Sequence, residues 1–162
     1  MADKMLARKV LEARARAIKA EGGRLVFTNG CFDLLHVGHV RYLKAAKTEG
    51  DVLLVAINSD DSVARIKGPG RPIVEEGARA EVVAALACVD YVTIFDEPDP
   101  LATIRMVQPD VLVKGADWEA NAIVGKTWVE ERGGRVVRIP LTKGASTSAL
   151  IEEIVRLRSG RS

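Results

Sequence analysis

Two histidines, His36 and His39, are the only ones in the chain, and they close the segment Asn29-Gly30-Cys31-Phe32-Asp33-Leu34-Leu35-His36-Val37-Gly38-His39. An apolar run, Leu25-Val26-Phe27, leads into this segment, and a helical pattern carried by Tyr42, Leu43, Ala45 and Ala46 leaves it. A strand, a glycine turn and a helix start make a seat for phosphate, because free N–H groups at a helix N-terminus favour an anion. Imidazoles beside them can donate to a phosphoryl oxygen as its charge grows. A single histidine here would read as a cap or a surface residue. Two of them, with Gly38 between and a glycine turn before, point to phosphate chemistry. Gly38 is expected to keep the backbone open to a nucleotide that a side chain would obstruct. A zinc site is rejected, since no further histidine or paired cysteine lies nearby. Asp33 is the best carboxylate in the segment, with helix-entry hydrogen bonding at least as good a role for it as metal binding.

The elements that must hold these residues follow from periodicity. A helical pattern runs to about Ala20, with Met5, Leu6, Val10, Leu11 and Ile18 on one face, and Glu21-Gly22-Gly23 stops it. Short β-rich apolar runs recur at 25–28, 52–57, 91–95, 111–113 and 136–139. Helical patterns separate them at 38–48, 60–66, 75–87, 100–107, 125–132 and 147–157. Strands alternating with helices predict right-handed crossovers and a parallel sheet covered on both faces. The fold class is therefore α/β, a Rossmann-like doubly wound five-stranded sheet with its ligand site outside the strand C-termini. The segment after the first strand falls at that site. Residues 1–22 form a helix expected to pack on the domain or on a second subunit, and 23–162 form the domain proper. Gly68-Pro69-Gly70-Arg71-Pro72 is the one strongly punctuated loop.

Composition sets the outer limits. A chain of 162 residues suits one domain with a real core. It is 48% hydrophobic and 28% charged, which is globular in character. A net charge of +2 is too small to imply a nucleic-acid or membrane partner. Cys31 and Cys88 make neither a disulfide framework nor a zinc spacing, so reduced thiols in a cytoplasmic protein are expected. No unbroken apolar run has the length of a membrane span, and no signal peptide is expected.

Gly30-Cys31-Phe32-Asp33 with His36-Val37-Gly38-His39 resembles the signature of the HxGH nucleotidyltransferases, the cytidylyltransferase-like family. Near the C-terminus, Gly144-Ala145-Ser146-Thr147-Ser148 is similar to that family's second signature, the element that holds the triphosphate. On its own, Ser146-Thr147-Ser148 is a helix N-cap cluster. From about Gly23 to Ile154 the chain resembles the D-glycero-β-D-manno-heptose 1-phosphate adenylyltransferases. That likeness is carried by residues 29–39, Asn58-Ser59-Asp60, residues 66–73, Arg79-Ala80-Glu81, Cys88-Val89-Asp90-Tyr91, residues 109–115 and Ile139-Pro140-Leu141. The activity is often half of a protein that also carries a sugar kinase; this chain looks like the stand-alone form. Leu141 stands where glycerol-phosphate cytidylyltransferases commonly carry arginine, which favours the heptose branch. Ala145 and Ser148 depart mildly from the second signature.

The resemblance implies AMP transfer from ATP to heptose 1-phosphate, with pyrophosphate released. His36, His39 and Lys67 would be catalytic, while Arg65 and Arg71 would be weaker cationic candidates in the same loop. Asn29, Gly30, Cys31, Phe32, Gly38, Asn58, Arg79, Gly115, Asp117, Ser146, Thr147 and Ser148 would bind nucleotide or sugar. Asp60 reads as a helix cap, and Trp118 as either a ligand contact or a packing residue. Mg²⁺ would be carried mainly by the phosphates and water, with Asp33 a weak ligand candidate, and a homodimer is implied. Cys31 is not a nucleophile, since no base and orienting group accompany it. Two alternatives stay open: a CTP- or GTP-dependent enzyme acting on another sugar or polyol phosphate, and a non-catalytic nucleotide-binding regulator. A dinucleotide-binding domain is disfavoured because G-x-G-x-x-G is missing.

Overall fold

The computed structural model describes residues 4–159, so the first three and last three residues of the predicted segments 1–22 and 23–162 lie outside the described residues. Five parallel strands are present: β1 (Leu25–Gly30), β2 (Val52–Asn58), β3 (Tyr91–Phe95), β4 (Val111–Gly115) and β5 (Arg135–Ile139). They stand in the order β3-β2-β1-β4-β5. The helices are α1 (Arg8–Ala20), α2 (Val37–Lys47), α3 (Asp60–Lys67), α4 (Glu76–Ala84), α5 (Leu101–Val107), α6 (Lys126–Glu130) and α7 (Thr147–Ser159). A short 3-10 turn over Ala120–Ala122, not anticipated from the sequence, follows β4. The predicted α/β class and five-stranded parallel sheet are both found.

The apolar runs read as strands because both of their faces are buried. In β2, Leu53, Val55 and Ile57 pack with Leu43 and Ala46 of α2 and Ala80 and Val83 of α4. The intervening Leu54 and Ala56 pack with Leu11, Ala15 and Ile18 of α1 and Ile104 and Val107 of α5. Alternate side chains thus feed two cores, which is what a doubly covered sheet requires. The chain winds from β1 through β2 to β3, then returns to lay β4 on the other side of β1. The C-terminal ends of β1 and β4 are therefore the switch point, where a crevice opens.

The first helix departs in part from its predicted face. Leu11 and Ile18 are buried with Ala15, whereas Met5 and Val10 are exposed. Helix α1 begins only at Arg8, so Met5 and Leu6 precede it: Met5 pairs with Val92 in a parallel bridge, and the Leu6 N–H donates to the Val92 carbonyl at 2.8 Å. The buried stripe of α1 is used within the chain, against the sheet and α5. No described helix is long and apolar enough to cross a membrane.

Candidate active site

The crevice at the switch point is a cleft of about 590 Å³. Its walls are the turn after β1, the start of α2, the ends of β2 and β4, the loop after α3, and the start of α7. Of the predicted site residues, Asn29, Gly30, Cys31, Phe32, Gly38, His36, His39, Asn58, Lys67, Gly115, Asp117, Ser146, Thr147 and Ser148 line it. Arg79 does not.

His36 caps α2, its Nδ1 accepting the Gly38 N–H at 3.1 Å. With Nδ1 an acceptor, the neutral ring carries its proton on Nε2 and has a donor left for a ligand. The His36 and His39 rings stack, with centroids 3.9 Å apart and planes 22° apart. Burial lowers the pKa of both; His39 is pushed down to about 4, chiefly by burial and further by the neighbouring His36. The pair is thus neutral at pH 7, which removes the repulsion two stacked imidazoliums would suffer. The buried Nδ1 of His39 meets no hydrogen-bond partner, an uncommon condition for a buried nitrogen. Phe32 packs its ring 5.2 Å from His39 and holds a left-handed backbone at φ 46°. A bulky residue seldom accepts that conformation without surrounding constraints.

The glycines have packing reasons that differ from the sequence expectation. A Cβ on Gly38 would lie 2.9 Å from Nδ1 and Cε1 of His36 and 3.1 Å from Cβ of Ala145. Gly38 is therefore required by its own protein neighbours, and it is where the two signature segments meet. Ala145, small at a place where a larger residue is usual, fits this contact. Similarly, a Cβ on Gly30 would strike the Phe32 ring at 3.1 Å. The space above Gly115 is not left open to a base, because the Asp117 carboxylate and Leu141 occupy it.

At α7, Ser146 Oγ accepts the Ala149 N–H at 3.1 Å and so acts as N-cap. The backbone N–H groups of Thr147 and Ser148 at this helix start find no acceptor among the described residues. Lys67 ends α3 in an exposed position facing the cleft. Arg65 turns away instead, donating to the Asp96 carbonyl at 2.5 Å and to its carboxylate at 3.2 Å.

Burial and hydrogen bonding correct the expectations for Arg79, Asp33 and Asp60. Arg79 is 1% exposed and spends four of its five N–H donors on the protein. It donates to the carbonyls of Val74, Cys31 and Asn58 and to the Asp60 carboxylate. A phosphate cannot reach it; Arg79 ties together the ends of β1 and β2 and the loop before α4. Asp33 is likewise committed, accepting the N–H groups of Ile73 and Val74, both at 2.9 Å, and Arg71 Nε at 2.6 Å. Burial alone would raise its pKa, but these donors outweigh it and hold the carboxylate below its usual value. Asp33 is thereby spent on the protein, while Arg71, held by it through Nε alone, still lines the cleft. Asn58 is nearly buried, with its amide donating to Ser62 Oγ at 3.0 Å. The cap of α3 is Ser59, whose Oγ accepts the Ser62 N–H, and not Asp60.

Cys31 faces the cleft half-buried. Burial raises its thiol pKa in spite of Lys67, Arg79 and Arg71 nearby, so it is a poor nucleophile. The site also contains a residue that motif reasoning passed over. Lys114, at the end of β4, is 8% exposed and lines the cleft. Its ammonium donates to the side-chain oxygen of Asn29. Burial brings its pKa down to about 8, against the opposing pull of Asp117. A lysine closing the apolar run Val111-Leu112-Val113 is the sequence signal that could have found it.

Fold and cleft together define an α/β domain with a cleft at its switch point, walled by two signature segments. Residues 27–153 match the cytidylyltransferase-like family, and the chain belongs to it. It is 56% identical over 149 residues to the bifunctional protein HldE of Geotalea uraniireducens, an overlap of 90% of this chain and 30% of that protein. With the bifunctional protein HldE of Geobacter metallireducens it shares 54% identity over 140 residues, covering 86% of this chain and 29% of the relative. The chain thus spans under a third of the length of these relatives. A solved structure, the lipopolysaccharide core biosynthesis protein from Thermoplasma volcanium, superposes with a TM-score of 0.62 at 33% identity; the match covers 75% of this chain and 98% of that one.

Proposed function

We propose that this chain transfers AMP from ATP to D-glycero-β-D-manno-heptose 1-phosphate, giving ADP-heptose and pyrophosphate for lipopolysaccharide precursors in the cytoplasm. The observation that carries the reading is the meeting of the stacked His36–His39 pair with the start of α7 through Gly38 and Ala145. The cleft thereby offers imidazole donors and free helix N–H groups, with Lys67 also in its lining. Such a set suits a triphosphate. The heptose reading is supported by the sequence resemblance and by the lipopolysaccharide core biosynthesis protein among the similar structures.

An oxygen of the sugar phosphate attacks the α-phosphorus in line, and the bond from that phosphorus to the bridging oxygen of the β-phosphate breaks. The leaving pyrophosphate takes the electron pair. The attacking oxygen is already ionised, so no general base is needed. Catalysis then rests on alignment and on donors aimed at the spreading negative charge. His36 and His39 serve as those donors, Lys67 supplies a compact positive charge, and α7 receives the β/γ phosphates. Among the described residues no three His, Cys, Asp or Glu side chains gather to hold a metal, and Asp33 is spent. In this reading Mg²⁺ arrives with ATP and is held mainly by phosphate and water.

The test is pyrophosphate release from the pure chain with heptose 1-phosphate and ATP, CTP or GTP in turn. Turnover with ATP well above the others is expected. Preference for CTP or GTP, or no release with any of them, overturns the reading. The proposed homodimer is checked by sedimentation, where a species of twice 17.5 kDa is expected and a lone 17.5 kDa species contradicts it.

A further inference from the structure

Lys114 is a buried cation that the protein itself does not satisfy. Its side chain sits at the switch point, at the ends of adjacent strands β1 and β4. Of its three N–H donors, one goes to Asn29 Oδ1, and no other acceptor is present among the described residues. The Trp118 ring lies 5.9 Å away and shields one side. Because Asn29 Oδ1 is taken by the ammonium, the free part of that amide is its NH₂ group, also a donor. The floor of the cleft therefore presents unused donors and a buried ammonium, with the Asp117 carboxylate nearby offsetting part of its charge. A buried ammonium left in that state is costly unless a ligand completes it, and an acceptor-rich group such as a phosphate does so.

The place of this floor indicates which anion. The leaving pyrophosphate belongs to the wall of α2 and α7, where the histidines and the free helix N–H groups lie. In-line displacement requires the attacking group on the opposite side of the α-phosphorus. Lys114 and Asn29 stand at the ends of β4 and β1, on other elements of the same cleft than the α2 and α7 starts that carry that wall. There a phosphate monoester must approach an already anionic nucleotide, and a fixed cation offsets the repulsion between them.

We propose that Lys114, positioned by Asn29, binds the phosphate group of the acceptor substrate and so selects a phosphorylated acceptor. This rests on the reading of the cleft as a nucleotidyl-transfer site. Lys114→Met keeps the side-chain volume and removes the charge; Lys114→Gln serves as a second variant that keeps a donor. Binding of α,β-methylene-ATP to each variant, expected within about twofold of wild type, shows that the fold and the nucleotide wall are intact. In the rate assay, KM for heptose 1-phosphate is expected to rise roughly 10- to 100-fold in both variants, the loss typical of a hydrogen bond to a charged group. A second arm titrates inorganic phosphate into protein saturated with α,β-methylene-ATP, where wild type is expected to bind it at least about tenfold more tightly than either variant. Equal phosphate binding by wild type and variants, or a loss falling equally on the nucleotide analogue, overturns the assignment. The phosphate arm needs no sugar, so it judges Lys114 even where wild type fails to turn over heptose 1-phosphate, an outcome that defeats only the choice of sugar.

Discussion

Arg79 and Lys114 are both cations buried beside the C-terminal edge of the sheet, yet the regions around them are built in opposite ways. On the β2 side, Arg79 gives hydrogen bonds to three main-chain carbonyls and Asp60, while Asp33 receives two backbone N–H groups and Arg71. Arg79 and Asp33 are thereby satisfied within the protein. On the β1/β4 side, Lys114 has a single acceptor among the described residues and the buried Nδ1 of His39 has none. Satisfied polar groups hold a shape, and unsatisfied ones await a ligand. The difference separates scaffold from site more sharply than charge or motif membership does, since Arg79 and Asp33 belong to the signature set and still serve the scaffold.

Replacing Arg79 breaks the satisfied side most severely. Arg79→Met strands three carbonyls and a carboxylate, and about 3–5 kcal/mol of stability should be lost in urea unfolding. Lys114→Met sharpens the contrast, since it removes a buried charge that the protein barely compensates. It is expected to leave the unfolding midpoint unchanged or raise it; a loss as large as that of Arg79→Met would erase the distinction between the regions.

A smaller effect is expected where the two signature segments touch. Gly38→Ala drives a methyl group against His36 and Ala145, and overpacking of this kind costs about 1–3 kcal/mol. Displacement of His36 should lower kcat by up to about 10²-fold. Unchanged kcat would show that His36 and α7 need not be held in this register.

The mildest test is the pH dependence of stability. His39 has a folded pKa of about 4 against its ordinary 6.5, so between those values the folded protein binds fewer protons than the unfolded chain. Stability contributed by the neutral ring is present above pH 6.5 and drains away as pH falls toward 4. Thermal midpoints measured across this window should fall less steeply in His39→Gln than in wild type. Identical slopes would contradict the burial assigned to His39.

The sheet could be read from sequence because its strands are buried on both faces and appear as continuous apolar runs. The read strands 25–28 and 111–113 stop short of Gly30 and Gly115 because hydrophobicity ends before the hydrogen-bond ladder does. Met5 lies ahead of the helix start, which a helical stripe does not mark, and Val10, inside the helix, falls off the buried Leu11-Ala15-Ile18 face. Within the site, the two signatures supplied 12 of the 28 residues that line the cleft. The fate of Arg79 was invisible, since three of its four acceptors are main-chain carbonyls with no sequence signature. Lys114 was missed for a related reason. Its partner Asn29 lies 85 residues away, and only the return of the chain across the switch point joins them.

The measurement that bears most directly on the unsatisfied side as the seat of catalysis is pyrophosphate release by His39→Ala with ATP and heptose 1-phosphate, read beside its urea unfolding. Loss of one well-placed donor should lower kcat by about 10²–10³-fold, with cooperative unfolding retained. Near wild-type turnover in the folded variant would contradict the account.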